Sequence, residues 1–110
     1  MAASYDLKKS ASGKFMFNLK AGNGEVILTS QMYESKESAM NGIESVRKNS
    51  ADDKRFDRRT SAKGEPYFAL TATNGQDIGR SEMYSSAKAC EGGIESVKKN
   101  APGAVVKDNT

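Results

Sequence analysis

The side chains that could carry catalytic chemistry are few. The 110-residue chain has no histidine, no tryptophan and one cysteine, Cys90. Without histidine the sequence excludes Ser-His-Asp and Cys-His catalysis, histidine general bases and histidine-ligated zinc. A single cysteine excludes an internal disulfide framework and a multi-cysteine metal site. We therefore predict that the protein is not an enzyme, has no catalytic or metal-ligating residues, and uses no cofactor.

The densest polar cluster is a basic segment, residues 47–63, which holds seven basic and three acidic side chains. Arg58 and Arg59 would point to opposite faces of a strand, so the two do not form one patch. The net charge is only +3, whereas nucleic-acid modules usually show a lopsided balance with interleaved aromatic residues. A solvated surface is favoured, and weak binding of nucleic acid or another polyanion through residues 54–63 is the alternative. Its candidate contact residues are Lys54, Arg55, Arg58 and Lys63.

Two tyrosines recur in equivalent places. Tyr33 follows Met32, and Tyr84 follows Met83. Each could stack against a base or donate a hydrogen bond from its hydroxyl. At the end of a strand, the pair of methionine and tyrosine more commonly closes the core, with the hydroxyl reaching solvent. Tyr33 and Tyr84 are therefore weak candidate contact residues.

The elements that position these side chains are duplicated. Shifting the chain by 51 residues places 5–50 over 56–101 without a gap, with 21 of 46 positions identical. Within each copy, alternating apolar residues indicate strands, and an Asn-Gly dipeptide predicts a type I′ hairpin turn. Apolar residues at i, i+4 and i+7 then indicate a helix with a serine N-cap and an asparagine in the left-handed C-cap position. The expected helices are Lys36–Lys48 and Ala87–Lys99.

Two residues on the helix stripes have specific interpretations. Cys90 takes the place of Ala39 on the apolar stripe, so we interpret it as a small core residue rather than a reactive thiol. Gly42 and Gly93 each cost helix stability of about 1 kcal/mol relative to alanine. Their presence in both copies predicts a close approach to the helix backbone, by a strand of the sheet or by the partner helix.

A unit of about 50 residues is marginal on its own, because small chains bury too little surface. We predict one α+β domain over residues 1–110, in which two tandem βββα repeats share a single, mainly antiparallel sheet with two helices packed on it. The repeats are related by a pseudo-two-fold axis. Adding 51 to Arg55–Asp57 gives Val106–Asp108, so the strand after the second helix should cross back and pair near the first unit. The expected segments are unit one (about 4–51), unit two (about 55–102) and a closing strand (103–110).

The repeated motifs resemble those of the YegP-like family of small two-repeat bacterial proteins. The resemblance covers nearly the whole chain. It implies a single sheet with exchanged C-terminal strands, and, because the family is uncharacterised, it implies no activity, ligand or site residue. The motifs that carry it are Asn23-Gly24, Met32-Tyr33 with Ser35, Gly42–Val46, Gly75-Gln76 with Ile78-Gly79, Gly93–Asn100 and Val106–Thr110.

One apolar stretch differs between the units. The third strand reads Val26-Ile27-Leu28 in unit one but Asp77-Ile78-Gly79 in unit two. If the strand alternates, Val26 and Leu28 share the face opposite Ile27, and the patch is either covered in the fold or a contact surface. We predict a non-enzymatic binding or protein-interaction module that uses the outer face of the sheet or this patch, with an unknown protein as the possible partner.

The chain shows no feature of a membrane or exported protein. Its first residues lack the basic and apolar regions of a signal peptide, and the longest apolar run of a strand is far shorter than a membrane span. The lone thiol favours a reducing compartment, so we expect a cytoplasmic protein without membrane contact. Because a tandem repeat mimics a dimer, we also expect a monomer.

Overall fold

The polypeptide alternates hairpins and helices in the order that the repeat predicts. Residues 3–110, the part of the chain described by this computed structural model, form seven strands and two α-helices. Short 3-10 turns, Asp53–Arg55 and Ala101–Gly103, precede the fourth and seventh strands. Along the chain the elements are β1 (Ser4–Lys9), β2 (Phe15–Lys20), β3 (Val26–Ser30), α1 (Lys36–Asn49), β4 (Phe56–Thr60), β5 (Pro66–Thr71), β6 (Asp77–Arg80), α2 (Ala87–Asn100) and β7 (Val105–Asn109).

All seven strands belong to one sheet with the order β4-β5-β6-β3-β2-β1-β7. Neighbouring strands are antiparallel except β1 and β7, which are parallel. Both helices pack on the same face, and their apolar stripes join the inward side chains of the sheet in one core. The predicted α+β architecture with a single, mainly antiparallel sheet is confirmed. Within residues 3–110, neither helix is long and apolar enough to cross a membrane.

The pseudo-two-fold axis passes between β3 and β6. Thr29 faces Arg80 across this pair of strands, and the same two residues are equivalent under the 51-residue shift. The halves differ beside the axis, where Leu28 of unit one corresponds to Gly79 of unit two. A Cβ atom at Gly79 would lie 2.8 Å from the Thr29 carbonyl oxygen and 3.1 Å from Cγ of Leu28. The Leu28 side chain therefore fills the space beside the axis, and its counterpart must be a residue without a side chain, Gly79.

This packing shows where the apolar stretch of β3 lies. Leu19 faces Leu28, but Lys20 faces Val26, so Ile27 is the extra residue of a β-bulge. The bulge interrupts the strict alternation that the sequence suggested. Ile27 and Leu28 are both buried in the core, and Val26 is half-buried. Leu28 is thus part of the core, and Val26 and Leu28 do not form an exposed apolar patch together.

The residues that approach the helix glycines are aromatic side chains of the same unit. The Tyr33 ring stacks on Phe17 with centroids 6.3 Å apart and lies against Gly42. A Cβ atom at Gly42 would be 2.7 Å from Cζ of Tyr33. Tyr84, Phe68 and Gly93 repeat this arrangement with the same two distances. The predicted close approach is therefore present. It comes from these tyrosines and from a side chain of the sheet, Phe17 or Phe68, whose Cε2 would lie 3.1 Å from the Cβ atom, rather than from the partner helix.

The hairpin turns also differ from the prediction. Within residues 3–110, only glycines have a positive φ, and the four of them, Gly13, Gly24, Gly64 and Gly75, have values of 83 to 87°. The Ala21 N–H donates to the Glu25 carbonyl, and the Gly24 N–H donates to the Ala21 carbonyl. This is a three-residue loop with a left-handed glycine at its end, not a type I′ turn.

The helix ends also depart from the prediction, because no asparagine there adopts a positive φ. Asn49 and Asn100 keep negative φ and end their helices in the right-handed region. Each donates its side-chain amide to a carbonyl one turn earlier, at Ser45 or Ser96. The asparagines therefore bond back to the helix instead of terminating it with a left-handed residue.

The closing strand crosses back to unit one, as the repeat arithmetic predicts. β7 pairs in parallel with β1, so that Tyr5 faces Val106. The Tyr5 hydroxyl donates to the Ala101 carbonyl at 2.6 Å, and Arg47 Nη2 donates to the Ala104 carbonyl at 2.7 Å. Backbone pairing and side-chain hydrogen bonds therefore both hold the C-terminal segment against unit one.

We predict that deleting residues 104–110 lowers the melting temperature by several degrees. The deletion would leave the outer edge of β1 unpaired, and about 1 kcal/mol shifts the midpoint of a domain of this size by roughly 4–8 °C. Circular dichroism would measure the shift. An unchanged melting temperature, together with unchanged amide resonances for residues 5–50, would show that the tail is a free end.

A second prediction compares two adjacent glycines of α2. Gly93→Ala should lower the free energy of unfolding by about 1–3 kcal/mol, because the new methyl group overlaps the Tyr84 ring. Gly92→Ala is the matched control, since a Cβ atom there meets nothing within 4 Å. Gly92→Ala should stabilise the protein by up to about 1 kcal/mol through helix propensity. Urea unfolding measures both, and stabilisation by Gly93→Ala would contradict the packing argument.

Candidate functional site

The candidate tyrosines belong to the core rather than to an open surface. Tyr33 and Tyr84 are half-buried between Phe17 or Phe68 of the sheet and the helix of their own unit. Burial raises the pKa of both phenols. Cys90 is buried as well, and burial raises the pKa of its thiol. All three side chains therefore have the packing role that the sequence favoured.

The candidate basic residues all lie along the outermost strand of unit two. Lys54 and Arg55 are in the 3-10 turn before β4, Arg58 is in β4, and Lys63 is in the turn after it. Arg55 donates to the Ala72 carbonyl at 3.4 Å. Lys54 and Lys63 are exposed and form no ion pair with any residue of the described chain, 3–110.

Arg58 and Arg59 point to opposite faces of the sheet, as predicted. Arg58 reaches the helix face, where Nε and Nη2 donate to the two carboxylate oxygens of Glu91 at 2.6 and 2.8 Å. Its Nη2 also donates to Asp53 at 3.3 Å. Arg59 lies on the open face and donates to both oxygens of Asp77 at 2.9 Å. The basic residues therefore do not form a single patch.

These ion pairs perturb the carboxylates. The hydrogen bonds from Arg58 lower the pKa of Glu91, and those from Arg59 lower the pKa of Asp77. The Asp77 side chain is only 14% exposed, so this pair is partly shielded from water. Within residues 3–110, no three acidic, cysteine or histidine side chains come together as a metal site would require.

The feature that the sequence analysis missed is an unoccupied position at the end of the sheet. On one side of the axis the order is β3-β2-β1-β7, and on the other it is β6-β5-β4. β1 and β4 are equivalent strands, since Tyr5 corresponds to Phe56 under the 51-residue shift. β1 has β7 on its outer side, whereas β4 has no neighbour there among the described residues.

The unpaired backbone groups of β4 can be assigned from its partner. Both the N–H and the carbonyl of Phe68 bond to Ser81, so they face β6. Arg58 lies opposite Phe68 and is therefore in a non-hydrogen-bonded pair, with its N–H and carbonyl pointing away from β5. The same holds for Thr60, opposite Pro66, whose carbonyl bonds to the segment after β6.

In unit one the equivalent edge is covered. Leu7, the equivalent of Arg58, lies opposite Phe17, whose backbone N–H donates to the Ser30 hydroxyl on the side of β3. The backbone N–H and carbonyl of Leu7 therefore point away from β2. The outward groups at Leu7 face β7, where Leu7 is in register with Asp108. β4 thus presents the same backbone arrangement that β1 uses to hold a parallel strand. The 51-residue arithmetic contained a signal for this edge, because it aligns β7 and β4 with the same strand of the repeat.

The fold and this edge define a class of two-repeat α+β proteins with one shared sheet, and comparison with known proteins identifies the family. The family described as "Domain of unknown function (DUF1508)" matches residues 10–57 and again 61–108. The two matches are offset by 51 residues (61 minus 10), which is the repeat period of the sequence. The chain belongs to this family, and the predicted membership of a YegP-like family is confirmed.

The relatives are bacterial proteins of similar length. The chain is 58% identical over 106 residues to a UPF0339 protein of Bordetella pertussis, covering 96% of each. It is 52% identical over 110 residues to the UPF0339 protein YegP of Escherichia coli K12, covering all of both. These names assign the relatives to a family and state no activity.

Two solved structures share the fold. The solution NMR structure of E. coli YegP, described as a protein of unknown function, matches with a TM-score of 0.94 at 52% identity, over 100% of this chain and 95% of that chain. The solution NMR structure of a UPF0339 protein of Shewanella oneidensis matches with a TM-score of 0.92 at 50% identity, over 98% and 92% respectively.

A pH-dependent prediction follows from the Arg59–Asp77 pair. Asp77→Asn should lower the free energy of unfolding at pH 7 by about 1–2 kcal/mol, since it removes charge-assisted hydrogen bonds. Because folding lowers the pKa of Asp77, this contribution is complete above the usual carboxyl pKa of about 3.9 and is lost as the pH falls below it. The difference between the variants should therefore shrink in acid.

Urea unfolding at pH 7 and at several acidic pH values measures this difference. Glu34→Gln is the control, because the Glu34 side chain is 84% exposed and its ion pair with Lys14 lies at the surface. Exposed pairs contribute little, so the control should stay near the wild type. A difference for Asp77→Asn that is constant with pH would rule out the carboxylate as its source.

Proposed function

We propose that this protein is a non-enzymatic interaction module that binds an extended segment of a partner protein as an added strand beside β4. The observation that carries the proposal is the uncovered outer edge of β4, next to a sheet whose equivalent edge is covered by β7. An exposed strand edge is a template for another strand. Main-chain hydrogen bonds supply the affinity in this mode of recognition, and side chains supply the specificity.

The geometry of β4 suits it to pairing. Proteins commonly protect an edge with a proline, a bulge, a very short strand or charged side chains. β4 contains no proline, and its register against β5 is regular over five pairs from Phe56 to Thr60. Its two arginines are engaged with Glu91 on one face and Asp77 on the other, so their guanidinium groups already have partners on the two faces of the sheet.

Other features support a binding role rather than catalysis. The sequence has no histidine, and the one thiol is buried with a raised pKa, which disfavours the reactive thiolate. In this proposal the protein acts as a monomer in the cytoplasm, where a lone thiol stays reduced. Polyanion binding through residues 54–63 stays a prediction, and the opposite orientations of Arg58 and Arg59 give it no single surface.

The test uses a synthetic peptide with the sequence of residues 103–110, Gly-Ala-Val-Val-Lys-Asp-Asn-Thr, because β7 shows what the equivalent edge binds. Added to the ¹⁵N-labelled full chain, the peptide should shift the amide resonances of Arg58 and Thr60. The Leu7 amide should not shift, since β7 already covers it. Unchanged Arg58 and Thr60 resonances at millimolar peptide would contradict the proposed function.

A pair of variants at one position isolates the backbone contribution. Thr60→Pro removes an outward N–H without removing a bond to β5, and proline is tolerated on edge strands with this geometry. It should weaken peptide binding by about tenfold, the effect of roughly 1.4 kcal/mol. Thr60→Val is the matched control, because it keeps the N–H, and it should bind as the wild type does. Equal binding by both variants would argue against strand addition.

A further inference from the structure

The covered edge of unit one, together with the charges around β4, specifies the partner more closely. We infer that the segment bound by β4 is an acidic peptide segment of a partner protein that runs parallel to β4, with an apolar residue beside Phe56 and an acidic residue beside Arg58. This inference rests on the proposed function and adds the chemistry and direction of the partner.

The direction follows from the β1–β7 pair. Ser4 to Lys8 face Val105 to Asn109 in parallel register. Adding 51 to the β1 residues gives Arg55 to Arg59, so a strand placed in the same way has five positions. In order, these positions lie beside Arg55, Phe56, Asp57, Arg58 and Arg59.

The position beside Phe56 requires an apolar side chain. Its counterpart Val106 lies beside Tyr5 and packs against the core. Phe56 occupies the place of Tyr5 and is itself buried, with an edge-on contact to Phe68 at 5.7 Å between centroids. An apolar residue beside Phe56 would extend this core, as Val106 does in unit one.

The position beside Arg58 favours an acidic side chain, although Arg58 already pairs with Glu91 and Asp53 in the fold. Its counterpart Asp108 lies beside Leu7 and forms an ion pair with Lys36 of α1. In unit two, Leu7 is replaced by Arg58 and Lys36 by Ala87, so the cation has moved from the helix to the strand. Arg58 still has one nitrogen, Nη1, that donates to nothing in residues 3–110. A carboxylate at this position would accept a hydrogen bond from Nη1.

The surrounding charge also favours an acidic partner. Residues 54–63 contain five basic side chains and one acidic side chain. Lys54 and Lys63, at the two ends of the edge, have no ion-pair partner in the described chain. Arg55 and Arg59 would flank the first and fifth positions, but Arg55 pairs with Asp52, and Arg59 pairs with Asp57 and Asp77, so the unpaired charge comes from the two lysines. Complementary charge at such an edge speeds association and rejects basic partners.

A second copy of this chain fits the edge poorly. Antiparallel self-pairing over three or more residues of β4 is possible only in registers centred on Asp57, Arg58 or Arg59. Each of these registers places that charged residue directly opposite its own copy, and like charges in that position destabilise a strand pair. The repulsion favours an acidic partner segment over a homodimer, and a concentration-dependent dimer formed through β4 would overturn the inference.

The experiment compares three peptides derived from β7. The acidic peptide is Gly-Ala-Glu-Val-Thr-Asp-Glu-Thr, the basic one is Gly-Ala-Lys-Val-Thr-Lys-Lys-Thr, and the third is the acidic peptide with serine in place of valine. Amide shifts at Arg58 and Thr60 give the Kd values. We expect the acidic peptide to bind about tenfold or more tightly than either of the others, with an advantage over the basic peptide that falls as salt screens the charges.

Protein variants locate the charge effect. Lys54→Glu and Lys63→Glu remove no ion pair of the fold, so the melting temperature should stay the same. Each should raise the Kd of the acidic peptide by about threefold or more. Lys48→Glu is the matched control, with the same charge change on the exposed side of α1, and should change binding much less. Equal weakening by all three variants would mean that only net charge matters and would overturn the assignment to β4.

The direction has its own readout. A nitroxide label at the N-terminus of the acidic peptide should broaden the amides of Arg55 and Phe56, whereas antiparallel binding would broaden Thr60 and Ser61. Binding at β4 without charge preference, or in the antiparallel direction, overturns this inference and leaves the strand-accepting function standing. Unchanged Arg58 and Thr60 resonances with every peptide overturn both.

Discussion

The structure depends on the short connection between the first helix and the second unit. α1 ends at Asn49 and β4 begins at Phe56, so six residues, 50–55, link them. After α2 the chain is free to add a strand outside β1, and it does so as β7. After α1 the same chain must serve at once as the first strand of unit two and pair with β5. Because the two units are covalently linked, the strand that follows α1 is β4 itself, and no other strand of the described chain lies outside β4.

The duplicated sequence is conserved between the units where the packing demands it and diverges where the units meet. Tyr33 and Gly42 recur as Tyr84 and Gly93, since the aromatic ring fits only against a helix residue without a side chain. At the pseudo-two-fold axis, identical residues would fail, because two leucines at 28 and 79 would overlap and two glycines would leave a void. The difference at this position therefore makes one folded core from two units.

Much of the fold could be predicted because two kinds of signal agree. The strand and helix periods and the serine N-caps are properties of neighbouring residues and gave the elements, whereas the 51-residue repeat gave their order and the return of the closing strand to unit one. The bulge at Ile27 depends on cross-strand register, so the expected alternation around Leu28 was wrong. Arg58 was recognised as a basic residue, but its place at an uncovered edge depends on which strand lies outside which, and no local pattern reports that.

The two edges differ mainly in the side chains that would contact an added strand. Several inward residues are identical in the two halves, as Phe17 and Phe68 or Ile43 and Ile94 show. The groups that hold β7 have changed instead: the hydroxyl of Tyr5 is absent at Phe56, Lys36 has become Ala87, and Leu7 has become Arg58. β4 has neither a proline nor a bulge and keeps a regular backbone that is able to pair. Its side chains have been exchanged at the positions that meet an added strand, so any strand bound there would meet different side chains from those that β7 meets on β1.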